Sequence, residues 1–235
     1  MDSLSLVGLA TPQANPTVEL EFREFFTGDV CAQVTRLTSA ADTPAERLLH
    51  YMEQIPTTLN RYDTMPLAAF AFACTGSSYL KGAEYENALT DALADERGYP
   101  LITATQAIEN ELRIRGVRRL GILAPYPADL CQSANQYWQD KDYEVVLSKR
   151  IDIGADTRGI YALTNDILNT KLGTLSLNNI DALLLSGTGM PTVAALRSSD
   201  LPMISSNLCL AVEVLRQLGR WGLNEPADIQ RLCGN

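Results

Sequence analysis

The segment Ala73-Cys74-Thr75-Gly76-Ser77-Ser78 sets a thiol directly after an apolar run, followed by small hydroxyl residues and a glycine. At a strand end, backbone N–H groups can hold a thiolate and lower its pKa, which makes the cysteine a nucleophile or an acid/base group. The same residues also describe a small buried hydrophobe followed by a Ser/Thr-capped turn, and the segment alone leaves both readings open. In Leu185-Ser186-Gly187-Thr188-Gly189-Met190-Pro191-Thr192, backbone and hydroxyl donors can receive an anionic oxygen, or the glycines can simply build a tight turn. Glycine transfers no proton, so a cleft made from these two segments has a thiol on one side only. Tyr126, after Ala124-Pro125, offers a phenol to a carboxylate or a developing enediolate, or packs as an amphipathic residue. Asn15, within Gln13-Ala14-Asn15-Pro16-Thr17, offers an amide donor at another strand end or an Asx turn before Pro16. Cys31, Cys131 and Cys233 fall in helical or unpatterned contexts and read as structural. Cys209 follows a candidate cap, Asn207, and competes only weakly with Cys74. None of these spacings matches a phosphate loop, a dinucleotide fingerprint or an EF-hand.

Composition narrows the classes. The 235 residues are 46% hydrophobic and 20% charged, as expected of one substantial core or two small ones. Nineteen Lys and Arg against 28 Asp and Glu leave a formal charge of −9, which argues against nucleic acid or an anionic membrane as partner. Any carboxylate must then be held by local donors. The start, Met1-Asp2-Ser3-Leu4-Ser5-Leu6, lacks the basic flank of a signal peptide, and no apolar run approaches the roughly eighteen residues of a membrane span. Five scattered cysteines and a single histidine, His50, predict a reduced cytoplasmic protein with neither a metal site nor a cofactor.

The elements that position the candidate residues alternate along the chain. Apolar runs at Leu4–Ala10, Leu67–Ala73, Pro100–Thr103, Arg119–Ala124, Glu144–Leu147, Ala182–Leu185 and Met203-Ile204 read as strands. Helices are predicted to about Phe26, from the capping box Thr43-Pro44-Ala45-Glu46 to about Gln54, over Ala83–Arg97 and Gln106–Arg115, near Asp129–Lys141 and Gly159–Lys171, up to Leu218, and again from Asn224. Such alternation predicts a largely parallel sheet covered on both faces. Val7–Pro12 echoes Leu120–Pro125 and Phe72–Gly76 echoes Leu185–Gly189, both 113 positions on, while Pro100–Thr103 echoes Pro202–Ser205 at 102. Equal offsets at strand ends predict a duplicated α/β fold of two pseudo-symmetric lobes with the active-site cleft between them. The expected division is residues 1–115, 116–204, and 205–235 as C-terminal helices packing back on the first lobe.

With these motifs in this order, the chain resembles the aspartate/glutamate racemase superfamily, and within it the branch of maleate cis–trans isomerase and arylmalonate decarboxylase. The resemblance runs through Val7–Glu19, Ala73–Tyr79, Leu120–Tyr126, Asp181–Thr192 and Ser205–Leu208. It implies a cofactor-independent, homo-oligomeric enzyme acting on a small carboxylic or dicarboxylic acid at the carbon next to a carboxylate. Cys74 matches the first-half cysteine of the family and Gly187 stands where many members have a second one. The decarboxylase carries the reverse arrangement. Thr75, Tyr126 and the backbone around Thr188 and Gly189 match the carboxylate and enediolate donors, and Asn15 matches a carboxylate-binding asparagine of the isomerase. Gly76 replaces a usual serine, whose donor role falls to Ser77. The isomerase's second-half asparagine would fall near Asp156-Thr157, without a secure counterpart.

A single acid/base thiol is insufficient for a two-base racemase. It suffices for decarboxylation of a 2-substituted malonate-like acid, with protonation of one face of the enediolate, and this is the leading expectation. The alternatives are a maleate-like cis–trans isomerase with Cys74 as nucleophile, a racemase of a small acid, and a non-catalytic carboxylate binder.

Overall fold

The computed structural model describes residues 4–199 and 201–233; the Met1-Asp2-Ser3 end of the leader reading lies outside them. The first half runs β1 (Ser5–Pro12), α1 (Thr17–Phe25), β2 (Val30–Leu37), α2 (Pro44–Glu53), α3 (Ile55–Leu59), β3 (Leu67–Phe72), α4 (Thr75–Lys81), α5 (Ala83–Arg97), β4 (Leu101–Thr103) and α6 (Ala104–Ile114). The second runs β5 (Arg119–Ala124), α7 (Ala128–Gln139), β6 (Glu144–Arg150), a 3-10 turn at Thr157–Ala162, α8 (Asn165–Leu172), β7 (Ala182–Leu185), α9 (Val193–Ser198), β8 (Met203–Ser205), α10 (Ser206–Gln217) and α11 (Ile229–Cys233). All pairings are parallel, in the orders β2-β1-β3-β4 and β6-β5-β7-β8. Each sheet therefore repeats the strand order of the other, as the echoes at a constant offset predict.

The central strands are continuous apolar runs because helices cover both of their faces. The LAAFAF run of β3 and the ALLL run of β7 are buried almost throughout. The edge strands β2 and β6 mix apolar with polar residues and are half-exposed. The predicted capping box of α2 forms, with Thr43 accepting from the Glu46 N–H and Glu46 reaching back to the Thr43 N–H. α10 is buried from Ser206 to Arg216 and packs against α6, α1, β3 and β4 as well as β8. A buried Arg216–Glu111 pair at 2.6 Å ties it to α6.

Four local expectations are corrected. Val30–Leu37, where the pattern predicts no element, is β2; as an edge strand it needs only one paired side and tolerates Gln33, Thr35 and Arg36. The helix expected after Lys81-Gly82 is preceded by another, α4, which begins at Thr75 with Cys74 as its N-cap residue. Its Gly, Ser and Thr residues are weak helix formers, and burial of Thr75 through Tyr79 is what holds them in a helix. The single helix expected over Gly159–Lys171 is split where Leu163 turns extended and Thr164 caps α8 by accepting from the Ile167 N–H. The last helix begins at Ile229 instead of Asn224, since Pro226 disfavours helical backbone at the residue before it. Among the described residues, no helix is long and apolar enough to cross a membrane.

Candidate functional site

The carboxyl ends of the central strands β1, β3, β5 and β7 converge, and cross-lobe hydrogen bonds lock them together. The Thr75 Oγ1 and Tyr126 Oη hydroxyls are 2.5 Å apart, and Tyr79 Oη is 2.8 Å from Ser186 Oγ. Thr188 Oγ1 donates to the Ala73 carbonyl at 2.9 Å, and Thr17 Oγ1 donates to the Gly189 carbonyl at 2.9 Å. Between the strand ends lies a cavity of about 40 Å³, lined by Asn15, Cys74, Thr75, Tyr126, Thr188 and Gly189 together with Arg47, Tyr51, Arg158 and Tyr161. Six of the seven residues singled out in the sequence thus reach one cavity.

The seventh, Ser77, does not line it. Its fully buried hydroxyl donates to Cys74 Sγ at 3.2 Å, from inside the first turn of α4. Burial pushes the Cys74 thiol up, while the Ser77 hydroxyl and the Ser77 and Gly76 N–H groups pull it partly back. The N–H donors expected at this strand end are thus present and do lower the pKa, but burial outweighs them, the net direction is upward and the sulfur is held as a thiol. Burial likewise raises the Tyr126 phenol well above its ordinary range, keeping it a hydrogen-bond donor.

Gly76 and Gly187 owe their identity to their surroundings. A Cβ on Gly76 would come within 3.2 Å of both terminal methyls of Leu48 on α2, so α4 approaches α2 too closely for an unadjusted serine. Gly187 sits at φ +133°, which L side chains rarely adopt. A Cβ there would lie 3.1 Å from Ile160, 3.3 Å from Pro125 and 3.3 Å from Tyr126 Oη. A Gly187→Cys variant is therefore expected to show no α-hydrogen exchange of a racemase kind and to unfold at lower urea, by about 1–3 kcal/mol. Denaturant titration and deuterium incorporation from D₂O check both.

The two readings of Asn15 describe different atoms of one side chain. Its Oδ1 accepts from the Thr17 and Val18 N–H groups, an Asx turn opening α1, while Nδ2 is directed at Thr188 Oγ1 at 3.4 Å. Asn207, read as a cap, is not one: Ser205 caps α10. Asn207 Nδ2 instead donates to the Thr188 carbonyl at 3.0 Å and to buried Glu21 Oε2 at 2.7 Å. Glu21 also accepts from the Thr192 and Val193 N–H groups, so one buried carboxyl fixes the Gly187–Thr192 loop. Cys209 is fully buried in α10 and is not among the cavity-lining residues.

Sequence reasoning missed the roof. Ile160 and Tyr161, in the 3-10 turn, pack over Gly187 and Gly189. Arg47, almost wholly buried on α2, donates through Nη2 to Asp156 Oδ1 at 2.7 Å and through Nη1 to the Asp42 carbonyl at 3.0 Å. Arg158 grips the same carboxylate, with Nη2 2.8 Å from Asp156 Oδ2. The Arg158 hydrogen bond, reinforced by Arg47, holds Asp156 well below the usual carboxylate range. Gly159–Tyr161 falls in an expected helix and Asp156-Thr157 in a stretch without a secure counterpart, but nothing in their pattern puts the segment over the cavity. The pairing of the Arg47 helix with this turn is a long-range contact that no local pattern announces. A second cavity, about 600 Å³, shares Leu48, Leu130 and Thr157 with the first and contains no thiol. Among the described residues, no three His, Cys, Asp or Glu side chains converge as a metal site would require.

Chemically, the arrangement puts a protonated sulfur on one wall and paired hydroxyls beside it. Such a set can deliver a proton to one face of a planar intermediate while receiving its oxygen. The cavity is half-open and shares part of its wall with the larger one.

The model of the arylmalonate decarboxylase family matches residues 7–227. No curated protein sequence matches. Among solved structures, a Cys-to-Ser variant of Nocardia farcinica maleate cis–trans isomerase, with a covalently bound succinylcysteine intermediate, is similar at TM-score 0.81. It is 20% identical over 92% of this chain and 93% of that one. A Cys-to-Ala variant of the Pseudomonas putida maleate isomerase with maleate gives 0.81 at 19% identity, covering 92% of each chain. An arylmalonate decarboxylase with one glycine changed to cysteine and one cysteine to serine, in a liganded form, gives 0.73 at 20% identity, covering 92% of this chain and 93% of that one. At these identities the likeness to solved structures is one of fold.

Proposed function

Because the chain belongs to the arylmalonate decarboxylase family, we propose that it is a cofactor-independent decarboxylase of a 2-substituted malonate-like acid. The observation that carries this reading is the one-sided thiol: Cys74 lines the cavity, and opposite it in the repeat stands Gly187, closed in by Ile160 and Pro125. One carboxylate leaves as CO₂, and its bonding electrons pass into an enediolate. Thr75 and Tyr126 donate to the enediolate oxygens, with the backbone at Thr188 and Gly189 and the Asn15 amide as further donors. Cys74 then gives its proton to the carbon on its own face, and the thiolate is reprotonated from solvent. Ser77 steadies the sulfur throughout. The product is a single enantiomer where the substituents allow one.

A second reading is favoured by the polar lining. Asn15, Arg47 and Arg158 suit an unsaturated diacid, to which Cys74 would add as a nucleophile before rotation and elimination. The two readings need opposite protonation states of one group, so pH separates them. The folded thiol titrates above its ordinary value; a proton donor is therefore fully competent at neutral pH and loses activity only as pH rises through that raised value. A nucleophile gains activity over the same interval. The expected profile of kcat with a malonate is flat from neutral pH past the ordinary thiol range, then falling. A profile that climbs with pH, together with a mass increment on Cys74 during incubation with maleate, would favour the isomerase.

The direct test is a panel of malonates, maleate and amino acids in D₂O, followed for CO₂, geometry change and deuterium at the α-carbon. CO₂ with one deuterium in the product supports the decarboxylase; geometry change without CO₂ sinks it. The reading places the enzyme in the cytoplasm, in keeping with its unpaired cysteines, and as a homo-oligomer by family likeness.

A further inference from the structure

Two guanidiniums meet one carboxylate at the rim of the cavity, which among the described residues leaves one positive charge without an anion of its own. Arg47 is 4% exposed, and a charge so buried is costly unless it is paired. Its partner, Asp156, is supplied by the stretch between β6 and the 3-10 turn and is shared with Arg158. Both arginines line the cavity that holds Cys74, and Tyr51 and Tyr161 line it beside them.

From this geometry we infer that Arg47 and Arg158 form an anion subsite for an acidic group on the substrate's substituent, and that Asp156 occupies the subsite until that group enters. The inference rests on the proposed reading of the cavity as the substrate site and narrows it. An acid that reaches this wall of the cavity competes with Asp156 for Arg47, whose Nη2 donates to Asp156 Oδ1 at 2.7 Å. Its carboxylate can take over that ion pair, and bidentate guanidinium contacts suit its planar shape. A guanidinium stabilises a carboxylate against loss of its charge, so the group held here is not the one that departs as CO₂. It stays on the product. The substrate class is accordingly a malonate whose substituent carries its own carboxylate, of the 1,1,2-tricarboxylate type, in place of a malonate with an apolar aryl substituent. The carbon chemistry is unchanged: CO₂ leaves, Cys74 supplies the proton, and a 1,2-dicarboxylate results.

The test has a binding arm that needs no turnover. Calorimetric affinities of the whole protein for succinate and for phenylacetate are measured in the wild type and in Arg47→Met and Arg158→Gln. The wild type is expected to favour succinate, and each variant to lower the succinate-to-phenylacetate affinity ratio by about tenfold, the effect of one charge-assisted contact. Arg158 is half-exposed, so its variant keeps the test open should Arg47→Met fail to fold. Equal loss of both ligands would mean that the arginines only hold the cavity's shape, and two unchanged affinities would mean that they meet no substrate; either overturns the inference. The kinetic arm compares CO₂ release from ethane-1,1,2-tricarboxylate and from phenylmalonate. Preference for the tricarboxylate supports the inference, and preference for phenylmalonate overturns it. Release from neither, with a binding ratio that still responds to the arginines, retains the subsite and removes the decarboxylase reading.

Discussion

Replacing Cys74 by alanine is expected to lower kcat for CO₂ release by about 10²–10⁴-fold, the usual contribution of a positioned general acid. The size of the loss follows from the asymmetry of the cavity. A symmetric site could lose one acid and fall back on another, but here the mirrored position is a glycine at φ +133°. The Tyr126 hydroxyl, 3.3 Å from where a Gly187 Cβ would lie, is bonded to Thr75 and is itself held neutral by burial. Substrate can still bind and CO₂ can still leave in the variant, because neither step uses the sulfur. The carbanion must then await a proton from water, which no side chain directs to the Cys74 face, and the residual product is expected to lose enantiomeric excess. Loss of one buried sulfur beside an existing cavity should change stability by only about 1 kcal/mol, so urea unfolding alongside the CO₂ assay separates chemistry from folding. A variant that turns over at the wild-type rate, or whose product keeps one configuration, would remove Cys74 from the mechanism.

Replacing Tyr126 by phenylalanine is expected to lower kcat by about 10²–10³-fold with little change in KM, as for removal of one donor from an oxyanion hole. In the free protein the Tyr126 and Thr75 hydroxyls satisfy one another at 2.5 Å. They belong to different lobes, one at the end of β3 and the other at the end of β5, so the pair exists only when the lobes are docked. Charge on the enediolate oxygens develops after CO₂ departs, and a donor fixed in a water-poor cavity stabilises that charge without reorganising. The carboxylate of the bound substrate carries its charge more evenly, which is why the loss falls on kcat and not on KM. Phenylalanine preserves the edge-on packing against Tyr79, whose ring centroid lies 6.2 Å away. A rise in KM at constant kcat would instead make Tyr126 a ground-state binding group.

Much of the architecture was legible without coordinates because it is encoded locally and then repeated. The apolar runs of β1, β3, β5 and β7 have one physical meaning, strands buried on both faces, and the offset of 113 announced that two sheets share one strand order. The same offset carries Val30–Leu37 onto residues 143–150, which include β6, so the unpredicted β2 was within reach of the repeat even though its polar residues hid it from pattern reading. Tyr126, Thr75 and Asn15 were legible for a related reason: each follows a strand end, and in parallel α/β sheets that is where a cleft forms.

What the chain's residues determined by themselves is therefore the material of the site: one thiol, a glycine in the mirrored turn, hydroxyl and amide donors at strand ends, and an acidic surface that offers no general attraction to anions. Tertiary structure alone decided their state. Burial, a property of everything packed around Cys74, turned a cysteine with nearby N–H donors into one held protonated. Docking of α4 against α2 decided that Gly76 could not readily be serine. The meeting of Arg47 with Asp156 and Arg158, 109 residues apart for the first pair, placed a positive charge on the wall of the thiol's cavity that no periodicity foretells. Period and spacing report which faces of an element must be buried. They carry no information on which distant side chain will share a cavity, because that depends on how whole elements pack.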